Sequence, residues 1–474
     1  MRLVKLAAVA CVLAVLGLGA VSVAAWGSSN EAVFFESPYD LLKAGSVTRS
    51  QTLAQLQSLG VHALRVVLYW RDVAPSPNHK HAPSFNQADP SKYHWGSYDK
   101  LIDAATAKHF QVLLTVSGPV PHWASACGCD QYTSPNTSDF TLFMEAVGRR
   151  YGRRVKLFAI WNEPNQPGFL RPQYVHGTLL SATIYRRLFL AGYAGLRASG
   201  NFSGMRVLMG DTSATGVQSQ HIPPPLAFLR GVLCLNSNYK PIGHCAQLPA
   251  AGWAQHPYAG SHPLAAPPTD DVTISTLGRL VTALDRAAAA GAIRRALPVY
   301  LTEFGVESYP NHIVGVSLQA QAEYDAIAEK LAWTNPRVAS FSQYLMRDDG
   351  PRTSGKGTSG GFQSGLETST GTQKPAYAGF RLPLVVTQSG GGVSLWGLVL
   401  PTHRTTRVVV QYSANGGASW HQLEVEHTNS SGAWSGSGRF TRHRMWRVLW
   451  TAPGGAIFTG APTRAYTASG NLEY

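Results

Sequence analysis

The sequence predicts an α/β fold: a (β/α)8 TIM barrel over residues 26–382, followed by an antiparallel β-sandwich over residues 383–474. Three observations carry that expectation. An apolar run from Val155 to Trp161, broken only by Lys156, has the pattern of a buried parallel strand and stops at Asn162-Glu163-Pro164-Asn165. Proline cannot donate to a ladder, so the strand ends where the carboxylate appears. A second strand, Leu297 to Leu301, runs the same way into Thr302-Glu303-Phe304-Gly305. Both glutamates then stand at strand C-termini, the rim on which such barrels carry their chemistry. Finally, at Arg381-Leu382-Pro383 the pattern changes to short alternating segments separated by turns, as in an antiparallel sheet.

The remaining elements follow in order. Ala32 to Glu36 is the first strand, and Ser50 to Leu59 the first helix, with Leu53, Leu56 and Leu59 at helical spacing before Gly60. Val61 to Trp70 is strand two, interrupted by Arg65; the loop 74–93, rich in Pro, Asn, His and Lys, follows on the catalytic face. Tyr98 to His109 reads as a helix and Phe110 to Ser117 as strand three. A stiff loop, Gly118-Pro119-Val120-Pro121, then presents His122 and Trp123. A tryptophan there stacks on a pyranose face or packs beneath its loop. Asp139 to Tyr151 is helix three. Pro172 to Ser199 reads as one long helix, and Met205 to Gly210 as strand five, closing on Asp211. Gly252 to Gln255 is strand six and ends in His256-Pro257-Tyr258, whose outer two side chains share one face of an extended segment. Asp271 to Ala290 and Ser317 to Thr334 are helices six and seven, and Val338 to Met346 is strand eight. The stretch 350–361, GPRTSGKGTSGG, reads as a mobile lid or an unstructured surface loop. Lys374 to Phe380 starts the closing helix. Five strands are then expected near 393–399, 407–412, 420–425, 434–440 and 445–450. Their tryptophans, Trp396, Trp420, Trp434, Trp446 and Trp450, are core residues or a carbohydrate platform.

The chain has 474 residues, 44% apolar and 10% aromatic, which excludes a disordered chain and suits large buried cores. Arg2 and Lys5 precede an apolar or small-residue run from Leu6 to Ala25, so residues 1–25 read as a secretory signal with a cleavage site at Val23-Ala24-Ala25. A run of about 20 residues would also span a bilayer as an anchor if retained, the one route to a membrane. Either reading places the protein outside the cytoplasm, secreted or at the cell surface. Cys11 lies in that segment, and the other four cysteines permit disulfides. Cys234 and Cys245 bracket a loop and are the better pair; Cys127 and Cys129 flank one glycine, and pair under strain or stay reduced. No zinc-ligand spacing surrounds them. The formal charge is +14, or about +12 without Arg2 and Lys5. Such a field favours anionic wall polymers. No block of five or more Lys/Arg occurs, so it reads as a solvated basic surface, and nucleic acid is not an expected partner.

Trp161-Asn162-Glu163-Pro164-Asn165 resembles the Asn-Glu-Pro signature of the clan A glycoside hydrolases, retaining (β/α)8 barrels that include families 5 and 39. The resemblance implies that Glu163 closes strand four as the acid/base and that Glu303 closes strand seven as the nucleophile. It implies further that Arg65, on strand two, contacts the nucleophile; the alternative is a strand-end cation facing solvent. His256 and Tyr258 match the His-x-Tyr of family 5, which lies beside the nucleophile, with the tyrosine hydroxyl bonded to it. Many clan members close strand eight with a tryptophan under the reacting sugar. This chain has Gln343 and Tyr344 there, a departure that leaves the sugar open.

The chemistry explains why two carboxyls are needed. One protonates the leaving oxygen while the other attacks the anomeric carbon, at about 5 Å separation in a retaining enzyme. Asn162, beside the acid, is placed to bond the sugar 2-hydroxyl, a contact worth most in the transition state. No metal or organic cofactor is required. The expected protein is thus a monomeric glycosidase acting on an oligo- or polysaccharide. Three alternatives remain: a transglycosylase on the same scaffold, a catalytically silent carbohydrate-binding barrel, and a wall-associated interaction protein that works through the C-terminal sheet.

Overall fold

The computed structural model describes residues 31–128, 130–260, 262–350 and 361–467. The expectations for residues 1–25, for the bulk of the 350–361 stretch and for a pairing of Cys127 with Cys129 fall outside the described residues.

Eight parallel strands close into a barrel. They are β1 (Ala32–Glu36), β2 (Ala63–Tyr69), β3 (Gln111–Ser117), β4 (Leu157–Ile160), β5 (Arg206–Thr212), β6 (Gly252–Gln255), β7 (Val299–Leu301) and β8 (Val338–Tyr344). β1 pairs with both β2 and β8, which completes the ring. Alternation along each strand sends one set of side chains inward and the other against the helices. The inward set includes Phe34, Ala63, Leu113, Leu208, Ala254 and Tyr300, a buried plug distinct from the larger core between strands and helices. Two residues beyond four of these plug positions stand Glu36, Arg65, His256 and Thr302. Period-two alternation therefore places a polar layer directly on the apolar plug, at the C-terminal mouth of the barrel.

Helix seven spans Leu318–Trp333, with Ser317 accepting from the amide of Ala320 as its N-cap. The expected long helix from Pro172 begins eight residues late. Tyr174–Val175 and Thr178–Leu179 form a hairpin first, and the helix is Leu180–Ala198. The turn residues His176 (φ 48°) and Gly177 (φ 75°) are both left-handed, as a two-residue hairpin turn demands. The helix expected from Asp271 likewise starts at Leu277, after a 3-10 turn at Ile274–Thr276 that Thr273 caps. A further helix, Pro225–Val232, follows β5 and had no counterpart in the sequence reading.

The closing helix, Pro375–Arg381, leads into β9 (Leu384–Ser389), β10 (Gly392–Leu398), β11 (Arg407–Ser413), β12 (His421–His427), β13 (Ala433–Arg439), β14 (Met445–Thr451), β15 (Ile457–Thr459) and β16 (Thr463–Tyr466). β9, β15 and β16 lie outside the five expected segments. The strand order is β12-β11-β14-β16-β9-β10-β13, with β15 on β14. β16 joins the two halves, antiparallel to β14 and parallel to β9, so the sandwich is one mostly antiparallel sheet folded over itself. Trp434, Trp446 and Trp450 are buried in its core, and Trp396 is partly buried against the barrel's core, so these four do not form an exposed platform. The sheet rests on helix seven: Val385 packs on Ala326 and Ile327, and Arg464 holds Glu323 at 2.6 Å.

Cys234 and Cys245 are joined, closing a loop of 11 positions between β5 and β6. Cross-linking a loop of this length removes unfolded-chain entropy worth about 3 kcal/mol. Replacing both cysteines by serine should lower the melting temperature by several degrees, read by calorimetry. An unchanged melting temperature would show that the loop contributes nothing to global stability.

Candidate active site

The polar layer at the barrel mouth is organised by Arg65, whose side chain is fully buried. One terminal nitrogen, Nη1, donates to Glu36 and to Glu303 Oε2 at 2.9 Å. The other, Nη2, donates to Asn162 Oδ1 at 2.5 Å and Asp211 Oδ2 at 2.7 Å. Strands β1, β2, β5 and the ends of β4 and β7 thus meet on one guanidinium. Burying that charge alone would be prohibitive, and the carboxylates around it compensate. Arg65 is therefore not a solvent-facing cation; it contacts Glu303 as the resemblance implied.

Glu163 is delivered by a strained turn. Trp161 (φ 72°) and Glu163 (φ 40°) both occupy the left-handed region, which costs a non-glycine residue about 1–2 kcal/mol. The turn is held from all sides. The Trp161 amide donates to Val116 O at 2.8 Å, and its indole donates to Phe169 O at 3.1 Å. The Glu163 amide donates to Asp211 O at 2.9 Å. Asn165, fully buried, donates to Ser213 Oγ at 2.8 Å and accepts from the Ser213 amide at 2.9 Å. The Asn-Glu-Pro-Asn stretch is thus pinned to β3 and to the segment after β5.

His256 links the two glutamates. Its Nδ1 lies 3.0 Å from Glu163 Oε1 and 3.5 Å from Glu303 Oε2, so those oxygens are at most 6.5 Å apart (3.0 plus 3.5). Its Nε2 lies 3.1 Å from Asp211 Oδ1. Tyr258 donates its hydroxyl to Glu303 Oε1 at 2.8 Å. Glu303 thus receives a guanidinium on one oxygen and a phenol on the other. Burial lifts the Tyr258 hydroxyl well above its usual range, and the Glu303 charge lifts it further, so the phenol stays a donor. Within this group Arg65, His256 and Asp211 are sealed, whereas the side chains of Glu163 and Glu303 keep 18% and 13% of their exposure. The two glutamates, with half-buried Tyr258, are the accessible members of the group among the described residues.

Two members escaped the sequence reading. Glu36 closes β1 as Glu163 and Glu303 close theirs, so a charged residue ending an apolar strand was the available signal. Asp211 carries the same signal, closing Met205 to Gly210, but plain alternation from inward Leu208 turns it outward; a register shift between Gly210 and Thr212, with Asp211 at φ 50°, brings it inward instead. Burial works to raise the Asp211 carboxyl, but Arg65 and His256 together hold it below the ordinary range. Burial raises Glu36 to about 7, with Arg65 opposing and Glu303 adding to the rise. A carboxyl raised by folding contributes stability that is lost as pH climbs from the ordinary 4.5 through about 7. Glu36→Gln should abolish that loss. Its melting temperature relative to the wild type should climb between about pH 5 and pH 8, by the equivalent of up to ~3 kcal/mol. Parallel curves for the two proteins would place Glu36's titration elsewhere.

Other expected site residues fall differently. Trp123 is buried, edge-on to Trp70 and to Phe85, with its indole donating to Pro75 O at 3.2 Å. It packs beneath its loop and offers no face to a sugar. His122 is half-buried beside it, and its ring makes no hydrogen bond among the described residues. Tyr344 ends β8, half-buried and edge-on to Phe362 at 5.2 Å, and burial and the Glu303 charge raise its hydroxyl. Asn162 is buried; its backbone amide donates to Ser117 Oγ at 3.0 Å and its side-chain Oδ1 is taken by Arg65, while its side-chain Nδ2 has no partner among the described residues.

No protein-family model and no curated protein matches the sequence. Solved structures do match. A family 39 glycoside hydrolase from the gut symbiont Bacteroides cellulosilyticus WH2 superimposes with a TM-score of 0.52 at 15% identity, over 87% of this chain and 81% of that one. A glucosidase from Croceicoccus marinus gives 0.52 at 9% identity, over 86% and 91%. The GH39 enzyme from Xanthomonas axonopodis pv. citri gives 0.50 at 15% identity, over 91% and 94%. Matches of that extent run past the barrel into the C-terminal sheet. The chain therefore shares the two-part architecture of these glycoside hydrolases: the barrel that the Asn-Glu-Pro resemblance implied, and the sheet expected from the change of pattern at Arg381-Leu382-Pro383.

Proposed function

We propose that the protein is an exported retaining glycoside hydrolase that cleaves O-glycosidic bonds of an oligo- or polysaccharide by double displacement. Glu163 is the acid/base and Glu303 the nucleophile. The observation that carries this reading is the pair of carboxyl oxygens on one imidazole nitrogen. Their limit of 6.5 Å takes in the about 5–5.5 Å of a retaining pair. An inverting pair stands about 6.5–9.5 Å apart to admit water, and two carboxyls that meet on one imidazole nitrogen suit the shorter class better. The surroundings divide the labour. Two donors, Arg65 and Tyr258, converge on Glu303 and suit a group that works as an anion. Glu163 has no arginine or lysine salt bridge among the described residues; the nitrogen beside it is His256 Nδ1, at 3.0 Å on one oxygen.

In the first step Glu303 attacks the anomeric carbon while Glu163 protonates the departing oxygen, and a glycosyl-enzyme forms. In the second, Glu163 takes a proton from water, which displaces Glu303 with a second inversion. Asn162, its side-chain Nδ2 uncommitted among the described residues, donates to the sugar 2-hydroxyl. Tyr344 closes the floor of the site in place of tryptophan. A saccharide substrate accords with the glycoside hydrolases that share the fold. Export accords with the apolar N-terminal segment and with the Cys234–Cys245 disulfide, a bond of oxidising compartments. The test is a panel of aryl glycosides and soluble polysaccharides, with the first-formed anomer read by proton NMR. We expect release of a sugar with retained configuration; inversion, or no release from any member, would overturn the proposal.

A further inference from the structure

We infer that Asp211 is a positioning residue for the acid: by holding Nε2–H of His256, it keeps the imidazole doubly protonated and sends the proton of Glu163 to the oxygen facing the substrate. The inference rests on the acid/base reading of Glu163. It starts from what each atom can donate. Asp211 is fully buried and accepts from Arg65 Nη2 on one oxygen and from the Thr302 hydroxyl on the other. Such a carboxylate can only accept, so the His256 nitrogen 3.1 Å away must carry its proton.

The other nitrogen then decides the chemistry. Nδ1 faces Glu163 Oε1 at 3.0 Å and Glu303 Oε2 at 3.5 Å. Glu303 Oε2 is already engaged by Arg65. Were Nδ1 bare, it would draw the carboxyl proton of Glu163 inward, away from the leaving oxygen. With Nδ1 protonated, Oε1 of Glu163 is occupied as an acceptor, and the acid's proton resides on Oε2. When Glu163 gives that proton up, the anion it leaves lies against a cation already in place, the kind of fixed charge that lowers a barrier. The charged and titratable groups facing His256 are Asp211 from β5, Glu163 beyond β4, Glu303 beyond β7, Arg65 from β2 and Glu36 from β1. Burial disfavours the imidazolium, but Glu303 and Asp211 outweigh it and raise His256 to about 10, with Arg65 opposing. The cation therefore persists across the range in which a glycosidase works.

The first measurement uses the whole wild-type protein, 15N-labelled at histidine, with His256 assigned from the spectrum of His256→Gln. At about pH 8 both ring nitrogens of His256 should be protonated, although an ordinary histidine is neutral there. A bare ring nitrogen at that pH would overturn the inference without any Asp211 variant. The second uses Asp211→Asn, which removes the charge and keeps the shape. His256 should then titrate near neutrality, and kcat/KM should gain a falling limb at the same pH. For a substrate with a poor leaving group the loss above that limb should be roughly 10- to 100-fold, part of the about 10²–10⁴ that a general acid supplies. A dinitrophenyl glycoside, which needs no protonation, should lose little in its first step. A purely structural role for Asp211 would instead depress both substrates alike and leave the pH profile in place, which would refute the inference. Failure of the acid assignment itself is separable: it would appear as an absence of leaving-group dependence in Glu163→Ala, while the ring-nitrogen spectra would still report whether Asp211 holds the proton.

Discussion

Glu303→Ala should abolish hydrolysis of every substrate, good leaving group or poor, because no glycosyl-enzyme can form without a carboxylate at the anomeric carbon. The loss should be on the order of 10⁶-fold, the scale on which removal of an enzyme's nucleophile is felt. The fold should survive, since Arg65 keeps Glu36 and Asp211 as partners. Circular dichroism and the melting temperature would show that the lost activity is chemical. Added azide should then enter the space vacated by the side chain and displace the leaving group in one step, with Glu163 still supplying the proton. One displacement inverts the configuration, so the glycosyl azide should be the inverted anomer. A variant that retains more than a thousandth of wild-type turnover on any substrate would remove Glu303 from the reaction.

What the sequence revealed of this site, and what it hid, follows from strand geometry. A carboxylate that ends an apolar strand is visible as a break in pattern, and Glu163 and Glu303 were read that way. Arg65 stood out as the break in an apolar strand, its contact with Glu303 was implied by the family resemblance alone, and a solvent-facing cation fitted the same break. Its parity with Ala63, an inward plug residue, fixes its direction into the barrel mouth. His256 and Tyr258 follow from the same alternation, two residues apart on an extended segment. Asp211 was hidden because alternation would send it to the opposite face from Leu208 and Gly210, and only the register shift at Gly210 reverses this. Trp123 misleads for a different reason. A tryptophan next to prolines in a site-facing loop has the same local sequence whether its ring meets a sugar or Trp70, and only tertiary packing separates the two. The hairpin before the helix Leu180–Ala198 was hidden by the long helical periodicity that follows it, although Tyr174, Val175 and Thr178 favour strand and His176-Gly177 a turn. β15 and β16, three and four residues long, give alternation almost no length to show itself, whereas β9 is six residues long but opens on the continuous apolar run Leu384-Val385-Val386 rather than on alternation.

Glu163→Ala should separate the two chemical steps, and so test the assignment of roles rather than mere involvement. A glycoside with a poor leaving group needs its oxygen protonated, and kcat/KM for it should fall by about 10²–10⁴. A dinitrophenyl glycoside departs unprotonated, so Glu303 should still be glycosylated at close to the wild-type rate. Water must then displace Glu303 without a general base, and that step should stall. The glycosyl-enzyme should accumulate as a burst of phenolate equal to the enzyme concentration, followed by a slow steady state, with an intact-mass increase of one glycosyl unit. Azide needs no base, and the small side chain of alanine leaves room for it beside the anomeric carbon. Its addition should restore turnover and yield a glycosyl azide of retained configuration, the product of two inversions. The retained azide from Glu163→Ala and the inverted azide from Glu303→Ala form a pair that no other assignment of the two residues produces. If the configurations are exchanged, so are the roles; if azide rescues neither variant of an active wild type, the carboxylates that do the chemistry must be sought elsewhere at the barrel mouth, with Glu36 and Asp211 the next to test.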